Sequence, residues 1–197
     1  MTFWDKVAGI YDIAERLNGK VYSEMLSITE RMVPEYAMVL DTASGTGMLS
    51  VAACKKAEMV VCTDLSLPML KQAKINARKR GYDNIVFEAR DIYHLPDDDE
   101  TYDVTIAGNV LHLLDEPYKA LDELYRVTKK GGKILLPTFM TGGGNHLTDI
   151  YKLIGFNPKK EYTPESYREM LLQYGVGDVR VKLIHGLIPC CYAVIRK

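Results

Sequence analysis

The sequence predicts an α/β fold, a doubly wound and mostly parallel seven-stranded sheet with an antiparallel C-terminal strand. Three observations carry that expectation. Short apolar runs rich in β-branched residues alternate with amphipathic stretches of helix length. Consecutive apolar residues without alternation suit strands buried on both faces, and such alternating units build a parallel sheet joined by right-handed crossovers. The tail ends in two β-rich runs joined by a short turn at His185-Gly186, and strands so closely connected must be antiparallel neighbours.

Taken in order, residues 1–33 mix aromatic and charged groups and read as one or two helices, with Met25, Leu26, Ile28, Met32 and Val33 apolar and Pro34 as the stop. Val39-Leu40-Asp41 is the first strand. It passes through Thr42-Ala43-Ser44-Gly45-Thr46-Gly47 into a helix-compatible pattern. Met59 to Asp64 is the second strand; Ser66 then caps a helix with Pro68 in its first turn, Leu67, Leu70, Ala73 and Ala77 along one side, and Gly81 at its end. Asn84 to Ala89 and Tyr102 to Ala107 are the third and fourth strands. Pro117 opens a helix through Thr128 whose inward face is Ala120, Leu121, Leu124 and Val127, with Gly131-Gly132 as the expected stop before a fifth strand at Lys133 to Pro137. After the glycine run 141–145 and a short helix near 147–154, Thr163-Pro164-Glu165 starts a helix ending near Gly175. Val176 to Ile184 and Cys190 to Ile195 are the terminal strands.

At 197 residues the chain is long enough to bury ~70% of its unfolded surface, so one domain over 1–197 is expected, with 1–33 as a helical cover and 37–197 as the core. A formal charge of −1 argues against a nucleic-acid surface, and the basic residues of Lys71 to Arg80 read as a solvated helix face. No apolar run approaches the ~18 residues that span a bilayer, and Met1 to Asp5 lacks a basic segment leading into a hydrophobic one, so a cytoplasmic protein without a membrane span is expected. Cys54, Cys62, Cys190 and Cys191 show no metal-ligand spacing. Buried free thiols are the plain reading; a metalloid or thiol role for the vicinal pair is the sharper one.

In an open parallel sheet the ligand crevice lies beyond the carboxyl ends of the strands. The groups there are Asp41, Asp64, Asp91 and Asn109, all acceptors, with the glycine turn on the first strand. Gly45 and Gly47 would let a ligand lie against the backbone, facing unpaired N–H groups at the helix start. Asp41 would repel a pyrophosphate and provide the counter-ion for an ammonium or sulfonium group. Asp64 follows Gly45 by nineteen positions, the separation at which a carboxylate reaches a ribose diol.

Across residues 37 to 140 this pattern resembles the class I methyltransferases that use S-adenosylmethionine, whose Rossmann-like fold also ends in an antiparallel pair. The resemblance implies that Asp41 and the backbone of Ala43, Ser44, Gly45 and Gly47 hold the aminoacyl part of the cofactor. It assigns the ribose hydroxyls to Asp64 in its Asp64-Leu65-Ser66 segment, the adenine to Asp91 and Ile92, and the methionyl end to the Asn109 region. It implies S-adenosylhomocysteine as product and no metal. Phe3, Val7, Ala8, Tyr11 and Asp12 are similar to the N-terminus of the quinone-biosynthesis and related small-molecule methyltransferases. The family's first motif glycine is Ala43 here. A negative φ is expected there, and a positive one would show this placement of the turn to be wrong.

Candidates for a general base, where the nucleophile must lose a proton, are His112 and Tyr11, with Asp12 beside it; His112 could equally orient a helix or line the pocket. His146 is the best placed of the loop histidines. The acceptor is expected to be a small, partly apolar molecule shaped by residues 1–33 and 139–157. Two other readings stay open. Gly45-x-Gly47-x-x-Ser50 approximates a dinucleotide fingerprint, as in an NAD-dependent oxidoreductase, and the fold could belong to a non-catalytic cofactor-binding protein.

Overall fold

The computed structural model describes residues 18–140, 159–175 and 178–197. The chain runs α1 (Gly19–Met32), β1 (Met38–Thr42), α2 (Met48–Ala53), β2 (Met59–Thr63), α3 (Leu67–Lys79), β3 (Ile85–Glu88) and β4 (Tyr102–Ile106). It continues through a 3-10 turn (Leu111–Leu113), α4 (Pro117–Val127), β5 (Thr128–Phe139), α5 (Pro164–Tyr174), β6 (Asp178–Ile184) and β7 (Cys190–Arg196). The seven strands lie in the order β3-β2-β1-β4-β5-β7-β6. All pairings from β3 to β5 are parallel, and β7 is antiparallel to both β5 and β6. The expected doubly wound sheet with its antiparallel C-terminal strand is therefore observed.

Strand order reverses between β1 and β4, where Asp41 sits in register with Ile106 on one side and Cys62 on the other. The two sheet faces carry separate cores. Apolar groups of α1, α2 and α3 fill one, and those of α4 and α5 fill the other. Ser66 caps α3 by accepting from the Met69 N–H, and Thr163 with Ser166 forms a capping box at α5, so local side-chain chemistry starts both helices.

Two local expectations fail. Leu67, expected on the inward side, is exposed, while Met69, Leu70, Ala73 and Ala77 form the buried face of α3. Helix α4 ends at Val127 with Thr128 as its cap, as its expected bounds had it, but the Gly131-Gly132 pair is not what stops it: Thr128 turns extended, its hydroxyl tied to Leu124 O and paired with Thr105 Oγ1. The glycine pair lies inside β5 instead, where a Cβ at Gly132 would meet Asp103 O at 2.8 Å.

Cys190 and Cys191 pair with Phe139 and Thr138 along β5, and strand alternation sends their side chains into the two different cores. All four cysteines are free and buried. Adjacent strand thiols on opposite faces cannot close on one metalloid atom, so the sharper reading of the pair loses its geometric basis. No group of three potential metal ligands occurs among the described residues, and among them no helix is long and apolar enough to cross a membrane.

Candidate cofactor cleft

A cavity of about 250 Å³ opens at the β1/β4 switch point. Ala43, Ser44, Gly45, Asp64, Leu65, Ile92 and Asn109 line it, which brings together seven of the expected residues from four separate strand ends. Asp41, Gly47 and Asp91 do not line it. Each holds a different position behind the wall.

Asp41 is fully buried at the end of β1 and accepts a 2.5 Å hydrogen bond from Ser50 Oγ through Oδ2. Its Oδ1 has no hydrogen-bond partner among the described residues. Burial pushes this carboxyl from its ordinary 3.8 up to about 7, against the opposing pull of the Ser50 hydroxyl. A buried carboxylate oxygen without a donor is a site prepared for a cation or a strong donor.

The glycine turn departs from expectation in two ways. Ala43 has φ +50°, so the anticipated negative value is wrong. The turn nevertheless occupies residues 43–47, between β1 and α2. What fails is the premise that a Cβ excludes the left-handed region: the Ser44 N–H is tied to Thr63 O at 2.9 Å, and this long-range bond holds Ala43 in a conformation costing roughly 1–2 kcal/mol.

Three of the turn's donors are also already engaged. Ser44 N–H goes to Thr63 O, Gly45 N–H to Asp64 Oδ2 at 2.9 Å and Gly47 N–H to Ser44 O at 3.0 Å. Such a turn cannot cradle a pyrophosphate with those groups, and it presents two carboxylates nearby. Ser50, at the third position of the dinucleotide-like spacing, is buried against Asp41. The oxidoreductase reading therefore loses these three donors for a pyrophosphate.

The two glycines serve different ends. An added Cβ at Gly45 would meet nothing within 4 Å, so this residue leaves the cleft floor open to a ligand. At Gly47, with φ +75°, a Cβ would lie 2.8 Å from Ala73 Cβ; its smallness lets the turn pack on α3.

Asp64 accepts from Gly45 N–H through Oδ2 and from Ser66 N–H through Oδ1 at 2.8 Å. These bonds lock its carboxylate at the cleft wall while its remaining lone pairs can accept from a diol. Asp91 accepts from the Tyr93 N–H at 3.0 Å and stands half-buried in the loop that places Ile92 in the wall. Asn109 adopts φ +54°, donates its N–H to Pro137 O and accepts from the Phe139 N–H through Oδ1. It clasps the ends of β4 and β5.

His112 lies in the 3-10 turn, buried, while Val110, Leu113 and Leu114 around it line the cleft and it does not. Burial lowers its pKa to about 4, which leaves it neutral at pH 7 and a weak base. Tyr11, Asp12 and His146, and most of the 139–157 segment, lie outside the described residues. So does the cover over 1–17; its remaining helix α1 contributes Tyr22 and Met25 to the cleft, and Phe139 tilts against the Tyr22 ring at 5.4 Å.

Other wall residues were not read from the sequence: Tyr22, Met25, Met48, Leu49, Arg90 and Gly108. Met48 and Leu49 directly follow the turn, a position that could have suggested them. For Arg90 the only available signal was a charge placed at the end of the third strand, next to Asp91.

Fold and cleft together define a nucleoside-cofactor domain, with acceptors at successive strand ends and a turn suited to a cationic ligand. The chain carries a methyltransferase domain: residues 40–136 match the family of that description. It is similar to a demethylmenaquinone methyltransferase from Clavibacter sepedonicus, 35% identical over 141 residues that make up 70% of this chain and 57% of that protein. A malonyl-[acyl-carrier protein] O-methyltransferase from Hamiltonella defensa is 30% identical over 155 residues, 79% of this chain and 57% of its own length. The chain thus spans just over half of each of these relatives. Among solved structures, a SAM-dependent methyltransferase from Aquifex aeolicus superposes with a TM-score of 0.73 at 22% identity, covering 97% of this chain and 98% of its own.

Proposed function

We propose that the protein transfers the methyl group of S-adenosylmethionine to a small, partly apolar acceptor. The observation that carries this reading is the pairing of a buried, donor-less Asp41 oxygen with a glycine turn whose Ser44, Gly45 and Gly47 N–H groups are already bonded, an arrangement suited to a cationic rather than an anionic ligand. Asp41, buried behind the wall, would supply the negative charge that draws the ammonium end to the turn; Asp64 would face the ribose hydroxyls, Ile92 with the Asp91 loop the adenine, and the Asn109 end the methionyl part. Ala43, Ser44, Gly45 and Leu65 would complete the wall.

The cofactor, when bound, supplies a methyl already activated for in-line displacement. The chain has to bind, orient and exclude water, and near-attack positioning can contribute on the order of 7–11 kcal/mol. Tyr22, Met25 and Phe139 give the acceptor end an apolar, aromatic character. The two relatives named above act on different acceptors by name, so the acceptor follows from this chain's own wall. His112 and Tyr11 are retained as candidates for a base where one is needed.

Thermal shift with S-adenosylhomocysteine and with NAD tests the cofactor, and stabilisation by NAD alone would overturn it. A metabolite screen read by mass spectrometry tests the acceptor; activity confined to RNA would overturn a small-molecule substrate.

The Asp41 shift makes a pH prediction. Its folded-state pKa, about 7, lies above its ordinary 3.8, so the ligand-free fold binds more protons than the unfolded chain between those values. Asp41's contribution to stability is therefore fully present below pH 4 and lost as pH rises towards 7. A cationic ligand needs the ionised form, so S-adenosylhomocysteine affinity should fall by about tenfold per pH unit below 7. Isothermal titration at pH 6, 7 and 8 should show that slope in the native protein and little slope in Asp41→Asn.

A further inference from the structure

Arg90 lines the cleft beside Leu65 and Ile92, yet its side chain is only 12% exposed. Its edges are taken. Nη1 donates to both Asp97 oxygens at 2.9 and 2.7 Å, and Nε and Nη2 donate to Glu88 Oε2 at 3.1 and 2.9 Å. Asp97 is held in turn by the Tyr102 hydroxyl at 2.7 Å. With two carboxylates against one guanidinium, no positive charge is left over for an anionic ligand. What such a group can still offer a ligand is its flat face, and a guanidinium plane stacks well on an aromatic system.

We propose that Arg90 stacks on the cofactor's adenine, with Leu65 and Ile92 as its apolar companions, and so determines affinity for the base. The inference rests on the reading of the cleft as an S-adenosylmethionine site. Clamping the guanidinium edges by Glu88 and Asp97 fixes its plane before the base arrives, which removes the ordering cost that a free arginine would carry. A lysine could keep the charge and one ion pair but has no plane to present.

The test compares two ligands on two proteins by isothermal titration. S-adenosylhomocysteine contains the base, and S-ribosylhomocysteine lacks it. In Arg90→Lys, S-adenosylhomocysteine should bind about fivefold to tenfold more weakly while S-ribosylhomocysteine stays within about twofold of its native affinity. An equal loss for both ligands would mean that Arg90 only braces the β3–β4 loop, and no loss for either would mean that it does nothing for the base; each outcome overturns the proposal. Failure of the unsubstituted protein to bind S-adenosylhomocysteine would instead overturn the cofactor reading beneath it. Should Arg90→Lys not fold, a crystal structure of the native complex decides: a purine within about 6 Å of the guanidinium and parallel to it supports stacking, and a purine elsewhere overturns it.

Discussion

Asp64→Ala is expected to weaken S-adenosylhomocysteine binding by at least about 100-fold, equivalent to roughly 2.7 kcal/mol. One carboxylate both anchors the glycine turn through Gly45 N–H and shapes its own loop through Ser66 N–H, in addition to the ribose contact proposed for it. Hydrogen bonds to a charged group contribute about 1.5–3 kcal/mol each, so losing two of them releases the cleft floor as well as the ligand contact. Asp64→Asn should not restore affinity, because its amide nitrogen would have to meet one of two backbone N–H donors. Calorimetric titration checks both variants, with thermal unfolding to verify that they are folded. Affinity within threefold of native in Asp64→Ala would mean that the ribose lies elsewhere.

Gly47→Ala is expected to destabilise the fold by about 2–5 kcal/mol. The left-handed conformation at φ +75° costs a residue with a Cβ roughly 1–2 kcal/mol, and pressing that atom to 2.8 Å from Ala73 Cβ adds about 1–3 kcal/mol of overpacking. Gly45→Ala should cost only the conformational part, since a Cβ there has open space, but that Cβ would enter the cleft. Urea unfolding of the two variants, set beside their S-adenosylhomocysteine affinities, should therefore show opposite emphases. Gly47→Ala loses mainly stability and Gly45→Ala mainly binding. Equal loss of stability in both would remove the distinction drawn between packing and ligand approach.

Much of the cleft was legible because its parts are local. An acid at a strand end, a small-residue turn and a serine cap are each set by a few neighbouring residues. The separation from Gly45 marks Asp64 for a ribose diol, whereas its bond to the Gly45 N–H is seen only in the fold. The errors arose where a distant contact overruled local preference: Thr63 O holds Ala43 at positive φ, and Thr105 helps turn Thr128 extended before the glycine pair is reached. Arg90 was passed over because a charged residue beside a strand reads as solvated surface. Its carboxylate clamp draws on Glu88 and Asp97, which only the folded β3–β4 loop brings around it.

The sequence by itself determined the order of strands and helices, the turn and the acceptors at the strand ends, since apolar periodicity and capping chemistry act over a few residues. Only the tertiary structure decided which of those residues face the cleft and which stand behind it. Burial of Asp41, the bond from the turn's Ser44 N–H to Thr63 O and the clasp of Asn109 on Phe139 each depend on strands that meet across the sheet. Those pairings are long-range, and no local propensity encodes them.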